Sequence, residues 1–169
     1  MKIIIYMAQT LNGFIAKNNG ETPWSDESWE SYSLVCSKYP AMVLGKTTFD
    51  LIQEDPSEWD SIGNPFVVVV SSKPLNLSGN FASASSPEEA IDILESKGFE
   101  SVVIGGGAKT NSSFLSLGLV NEIIVDVESQ IFSDGIPFID SSVMENDIKL
   151  KLQSAKKISD NLAQLRYLI

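Results

Sequence analysis

Histidine is absent from the 169 residues of this chain, cysteine occurs once, and cationic side chains are scarce, 12 Lys plus Arg against 22 Asp plus Glu. Without histidine, no Ser-His-Asp triad, no Cys-His pair and no His-ligated zinc or haem site can be assembled. Any acid–base step must fall to a carboxylate, Lys, Tyr or water. The lone Cys36 rules out an internal disulfide framework and a cysteine-based metal cluster, and no metal site is expected. Its setting, Leu34-Val35-Cys36-Ser37, reads as a buried helical thiol with a packing role, consistent with a reducing, cytoplasmic compartment. A formal net charge of −10 repels phosphate backbones and anionic lipid surfaces, which argues against nucleic-acid and membrane partners. Long apolar runs are missing too: Ile3–Met7 is too short for a signal-peptide core or a bilayer span, and reads as a buried first strand. The acid excess still permits an anionic small ligand, provided a local basic patch meets it.

What is present suits one globular domain spanning residues 1–169. The hydrophobic fraction of 43% can fill a core, and the charged fraction of 20% is ordinary for a surface. Ile3–Met7, Ala41–Leu44, Phe66–Val70 and Val102–Ile104 are short and apolar throughout, as strands covered on both faces are. Between them, Ser25–Lys38 carries Trp29, Tyr32, Val35 and Cys36 at helical spacing. Pro87–Leu94 opens with proline and acids, which suit a helix N-terminus, and Lys109–Leu117 is a third helix, ended by Gly118. After residue 120 the pattern turns to strands: Glu122–Val127, then Ile148–Ser159 and Leu162–Ile169 joined at Ser159-Asp160-Asn161. Residues 53–64 and 134–146 read as loops. This order predicts an α/β fold with a mostly parallel central sheet, flanking helices and antiparallel strands added at the C-terminal edge.

Three predicted strand ends carry chemistry that suits anions. Gly45, Lys46, Thr47 and Thr48 follow one strand and open a helix. Ser71, Ser72 and Lys73 follow another. Ile104, Gly105, Gly106, Gly107, Ala108, Lys109 and Thr110 close a third strand and open a second helix. Bare amides at a helix start, with lysines and hydroxyls beside them, make a phosphate site, and consecutive glycines let a ligand approach the backbone. Ligands of open α/β sheets bind outside the carboxyl ends of the strands, where all three features fall, so a ligand with several phosphates is expected. The P-loop string does not occur, and Gly105-x-Gly107 comes late and lacks the third glycine of the dinucleotide fingerprint.

In their order and spacing these elements resemble dihydrofolate reductases and the related reductase domain of riboflavin biosynthesis. The stretch Ala8–Ala16 resembles the riboflavin-type branch, while Leu119–Ile123 and Phe132–Phe138 are similar to the last third of both. The resemblance implies a dihydrofolate-reductase-like three-layer sandwich and the cofactor NADPH. Lys46, Thr47 and Thr48 would meet the 2′-phosphate and pyrophosphate, with Ser71, Ser72 and Lys73 at the adenosine end. The segment from Gly105 to Lys109 would cradle the pyrophosphate, with a cis peptide between Gly105 and Gly106. Ala8, Ile15 and Ala16 would line the nicotinamide. On the substrate side it implies Asn12, Trp24 and Trp29, and a helix carboxylate drawn from Asp26, Glu27 and Glu30. If Trp29 and Tyr32 face inward, the neighbouring inward position is Ser28, which is not an acid.

The function expected on this basis is NADPH-dependent hydride transfer to a carbon–nitrogen double bond of a small pteridine or ribosylaminopyrimidine. The riboflavin-type uracil reductase is favoured over dihydrofolate reduction. A nucleotide-binding protein that kept the fold without the chemistry is the rival from another class, and the late edge strands could pair two subunits as a homodimer.

Overall fold

The computed structural model describes all residues, Met1–Ile169. In chain order the elements are β1 (Lys2–Thr10), β2 (Phe14–Ala16), α1 (Asp26–Cys36), β3 (Ala41–Gly45), α2 (Lys46–Gln53), α3 (Ser57–Ser61), β4 (Phe66–Val70), β5 (Phe81–Ala84), α4 (Pro87–Ser96), β6 (Ser101–Ile104), α5 (Ala108–Ser116), β7 (Glu122–Glu128), β8 (Ile136–Pro137), β9 (Lys151–Lys157) and β10 (Leu162–Leu168). Eight strands form one sheet in the order β5-β4-β3-β6-β1-β7-β10-β9, and β2 pairs with β8 in a small second sheet. From β5 to β7 every neighbouring pair is parallel, whereas β10 runs antiparallel to both β7 and β9. This is the expected α/β sandwich, with the dihydrofolate-reductase-like architecture.

Alternation along the buried strands sorts the side chains into two cores, because successive residues of a strand point to opposite faces. On one face Ile3, Ile5, Val43, Val68 and Ile104 pack under α4 and α5, through Ala90, Leu94, Phe114 and Leu115. On the other, Ile4, Tyr6, Met42, Leu44 and Val69 pack under α1, α2 and α3, through Val35, Cys36, Phe49, Ile52 and Trp59. Cys36 is a fully buried free thiol on α1, and burial pushes it well above its ordinary pKa, as a packing role requires.

The structure corrects several expectations. Residues 53–64 are not a continuous loop: α3 lies within them, seating Trp59 against Phe49 and Phe81. Within 134–146, β8 pairs with β2. Neither β2 nor β5 was expected, since three or four residues carry too little periodicity to read. The final hairpin begins at Lys151, three residues later than the apolar pattern suggests. No helix is long and apolar enough to cross a membrane.

Candidate active site

Sheet order brings the three strand ends together. β3 lies between β4 and β6, so Gly45, Ser71 and Gly105 leave the sheet side by side on one rim. The Gly45 amide donates to the Gly106 carbonyl at 2.8 Å, and a Cβ on Gly45 would stand 2.6 Å from Thr110 Oγ1. Only glycine lets these two loops touch. They wall a cleft of about 720 Å³ lined by Lys46, Thr47, Thr48, Ser71, Ser72, Gly107, Ala108, Lys109 and Thr110, with Met7, Ile15 and Ala16 at its apolar end.

Two helices begin in this cleft, and both differ from α1 and α4. Those two are capped by Ser25 and Ser86 and carry acids in their first turns. In contrast, α2 and α5 start from Gly45 and Gly107 with no side-chain cap and no acid in the first turn. Their first amides and the positive ends of their dipoles therefore lack a negative partner within the chain. Lys46 lies at the cleft with its ammonium paired to Asp50 on the same helix. The cleft also contains Asp140, whose carboxyl accepts from the Ser142 hydroxyl and amide and is held below its ordinary pKa chiefly by them.

Not every residue expected around the cofactor lines this cleft. Ile104 is wholly buried as the last residue of β6, and Lys73 is exposed beyond the cleft, with its amide bonded to Ser71 Oγ at 3.2 Å. Ala8 and Gly105 line the adjoining cavity instead. Gly106 is buried in the loop at φ +94°, and the cis peptide falls between Gly106 and Gly107, one residue later than the resemblance implied.

The adjoining inner cavity, about 320 Å³, shares Met7, Ile15, Gly20, Thr22, Thr48 and Leu51 with the cleft, so the two spaces meet there. Trp24 and Trp29 both line it. Trp24 stacks on Phe132 with centroids 5.9 Å apart, and Trp29 meets Tyr32 edge-on at 6.0 Å. Asn12 does not reach it. Its amide clips one loop to another, donating to the Phe132 carbonyl and accepting from the Phe132 amide. Glu27 is exposed in the first turn of α1, where with Asp26 it complements the helix dipole. Glu30 lines only an outer groove between α1 and α3. The buried positions of α1 are Ser28, Ser31, Val35 and Cys36, and both glutamates lie outside the inner cavity.

Its carboxylates are Glu21 and Glu58. Burial raises the Glu58 carboxyl above its ordinary pKa, with the Asp55 charge a smaller cause. Neither was legible beforehand: Glu21 lies in the loop between β2 and α1, and Glu58 sits on a helix of five residues with no periodicity to announce it.

Buried polar contacts hold the cavity floor. The Tyr6 hydroxyl donates to Asp126 Oδ2 at 2.5 Å, and the Gln164 amide donates to Asp126 Oδ1 at 3.0 Å and to Ser31 Oγ at 3.3 Å. Desolvation first, and the Asp126 charge second, push the Tyr6 phenol far above its ordinary pKa, so it is a donor that keeps its proton. The buried Glu128 takes both the amide and the hydroxyl of Ser25, at 2.9 and 2.7 Å, and so ties the start of α1 to the end of β7.

Ser28 is 1% exposed, lines the inner cavity, and its hydroxyl has no hydrogen-bond partner in the protein. A buried hydroxyl without a partner costs stability. Ser28→Ala is therefore expected to leave the melting temperature of the free protein unchanged or raise it by about 2 °C. A clear fall in the thermal melt would show that the hydroxyl serves the fold instead of a ligand.

The sequence matches the family described as the RibD C-terminal domain over residues 1–163. It is 25% identical to the uncharacterized protein YyaP of Bacillus subtilis (strain 168) across 98% of this chain and 94% of that one. The fold superposes with a TM-score of 0.74 on a diaminohydroxyphosphoribosylaminopyrimidine deaminase/5-amino-6-(5-phosphoribosylamino)uracil reductase from Thermotoga maritima, at 18% identity, covering 99% of this chain and 56% of that one. It superposes with a TM-score of 0.69 on dihydrofolate reductase from Enterococcus faecalis complexed with NADP(H), at 18% identity, covering 99% and 95%.

Proposed function

The chain belongs to the RibD C-terminal domain family, and from that premise we propose that it is an NADPH-dependent reductase acting on a carbon–nitrogen double bond of a small pteridine or pyrimidine compound. One observation carries this reading. Two helix N-termini without caps or acids open into one cleft, and that cleft runs directly into a second, aromatic-walled cavity. Phosphates would satisfy the free amides of α2 and α5, with Lys46, Lys109, Thr47 and Thr48 adding charge and hydroxyls. Ser71 and Ser72 would meet the adenosine end, and Lys73 would reach it only from outside the cleft.

NADPH, when bound, supplies the hydride. Met7, Ile15 and Ala16 offer an apolar wall to a nicotinamide where the two spaces meet, keeping water from the reacting carbon. Trp24 and Trp29 would hold a flat ring, and the Ser28 hydroxyl would fix its orientation. The rate would come from holding two rings at attack distance. The proton that balances the hydride goes to the ring nitrogen from water or from Glu58, because the Tyr6 phenol holds its proton too tightly to give it up. The helix position that a pteridine-anchoring acid would need is Ser28, which favours a pyrimidine of the ribosylamino type over dihydrofolate. Such chemistry belongs in the reducing cytoplasm, and the exposed edge strand β9 is where a second copy could pair.

Loss of reduced-nicotinamide absorbance with either ring type tests the activity. Tight NADPH binding with no turnover on any such ring would support the non-catalytic rival. Lys46→Ala is expected to weaken NADPH about tenfold and NADH hardly at all, since only the former carries the 2′-phosphate. Equal losses in a binding titration would refute that assignment. Ser28→Ala is expected to raise the substrate KM about tenfold, the loss of one hydrogen bond, with NADPH affinity unchanged.

A further inference from the structure

The two halves of the site differ in their cations. Lys46 and Lys109 line the cofactor cleft beside Asp140. Of the 12 Lys and Arg residues, none lines the inner cavity or the outer groove that continues from it past Trp29, Tyr32 and Ile52. The charged groups there are Glu21, Glu30 and Glu58. Glu21 is itself paired with Lys17 at 3.2 Å. Glu58 belongs to both spaces and stands at their seam, so a ring substituent that extends into the outer groove passes beside it.

A phosphate or carboxylate in that passage would meet like charge with no basic partner, in a partly desolvated setting where repulsion is strong. The unpartnered Ser28 hydroxyl beside the inner cavity leaves a neutral hydrogen-bonding group for a ligand there. Resting on the reductase reading, we propose that the substrate is an uncharged or cationic ring compound without a phosphate or carboxylate tail, and that Glu58 enforces this choice. The substrate would thus lack the phosphoribosyl group named for the Thermotoga maritima enzyme. A hydrogen-bond donor or cation on its tail would compensate the burial that now disfavours the Glu58 carboxylate.

The test uses two matched pairs with the NADPH-loaded protein: an aminouracil riboside and its phosphate ester, and a methylated dihydropterin and dihydrofolate. Binding is read from quenching of Trp24 and Trp29, and turnover from nicotinamide absorbance. In the wild type the member without the anionic tail is expected to bind at least about tenfold more tightly in each pair, and Glu58→Lys to narrow or reverse the preference. Glu58→Gln should fall between them. Preference for the anionic members, equal affinity, or a preference unmoved in a folded Glu58→Lys protein would overturn the proposal. So would failure of all four rings to bind. The wild-type comparison stands even if the lysine variant does not fold. Charge-selective binding without turnover would sink the reductase reading alone.

Discussion

Gly106→Ala is expected to weaken NADPH binding by about a hundredfold, close to 3 kcal/mol. Gly106 sits at φ +94°, a backbone setting that costs an L-residue roughly 1–3 kcal/mol. Its new Cβ would lie 2.8 Å from the sulfur of Met7 and 3.0 Å from the terminal methyl. Met7 is flexible, but it lines both the cleft and the inner cavity, so any retreat displaces the wall where the two spaces join. The loop would relieve the strain by rotating its amides away from the phosphates. Gly118→Ala supplies the control. That glycine also has positive φ, at +67°, but nothing stands within 4 Å of its added Cβ and it lies outside the cleft. It should lower thermal stability while leaving NADPH affinity intact. A Gly106→Ala protein that binds NADPH within about threefold of wild type would show that this loop is not the cradle.

Tyr6→Phe should destabilise the fold by about 2 kcal/mol, the value of a hydrogen bond to a buried charged group. For a chain of this size that corresponds to a melting temperature lower by roughly 6 °C. Asp126 is fully buried, and its carboxyl relies on the Tyr6 hydroxyl and the Gln164 amide. Removing the phenolic oxygen leaves one carboxylate oxygen without its shortest partner and barely changes packing, because the ring is retained. Combining Tyr6→Phe with Asp126→Asn isolates the coupling: the double variant should lose less than the sum of the two singles, since both break the same contact. Strict additivity in denaturant unfolding would mean that the two groups do not interact as described.

The exclusions and the uncapped helix starts were open to reading from residues alone, because each rests on local signals. Absence of histidine needs no geometry. The runs Val67–Val70 and Val102–Ile104 announce buried strands by composition, and Gly45-Lys46-Thr47 and Gly105–Thr110 announce free amides because a glycine between strand and helix leaves the next helix without a side-chain cap. Ser28 was inward only on the condition that Trp29 and Tyr32 face inward, and all three line the inner cavity. The resemblance supplied the architecture, though it set the cis peptide one residue early.

Other features depended on segments far apart in the chain. The parallel pairing of β1 with β7 puts Tyr6 within reach of Asp126, 120 residues away, and no periodicity records such a contact. The same limit hid Glu58, whose helix is too short for a pattern, and it misplaced Asn12, whose amide is taken by Phe132. Glu27 and Glu30 looked eligible while the helix phase was open. Packing α1 against the sheet through Ser28, Ser31 and Val35 turned both outward. Sequence thus settled which chemistries the chain lacks the residues for and which strand ends open uncapped helices, since those follow from residue type and near neighbours. Only the folded sheet decided which carboxylates line the inner cavity and which hydroxyl has no partner, because register and helix phase are set by long-range burial.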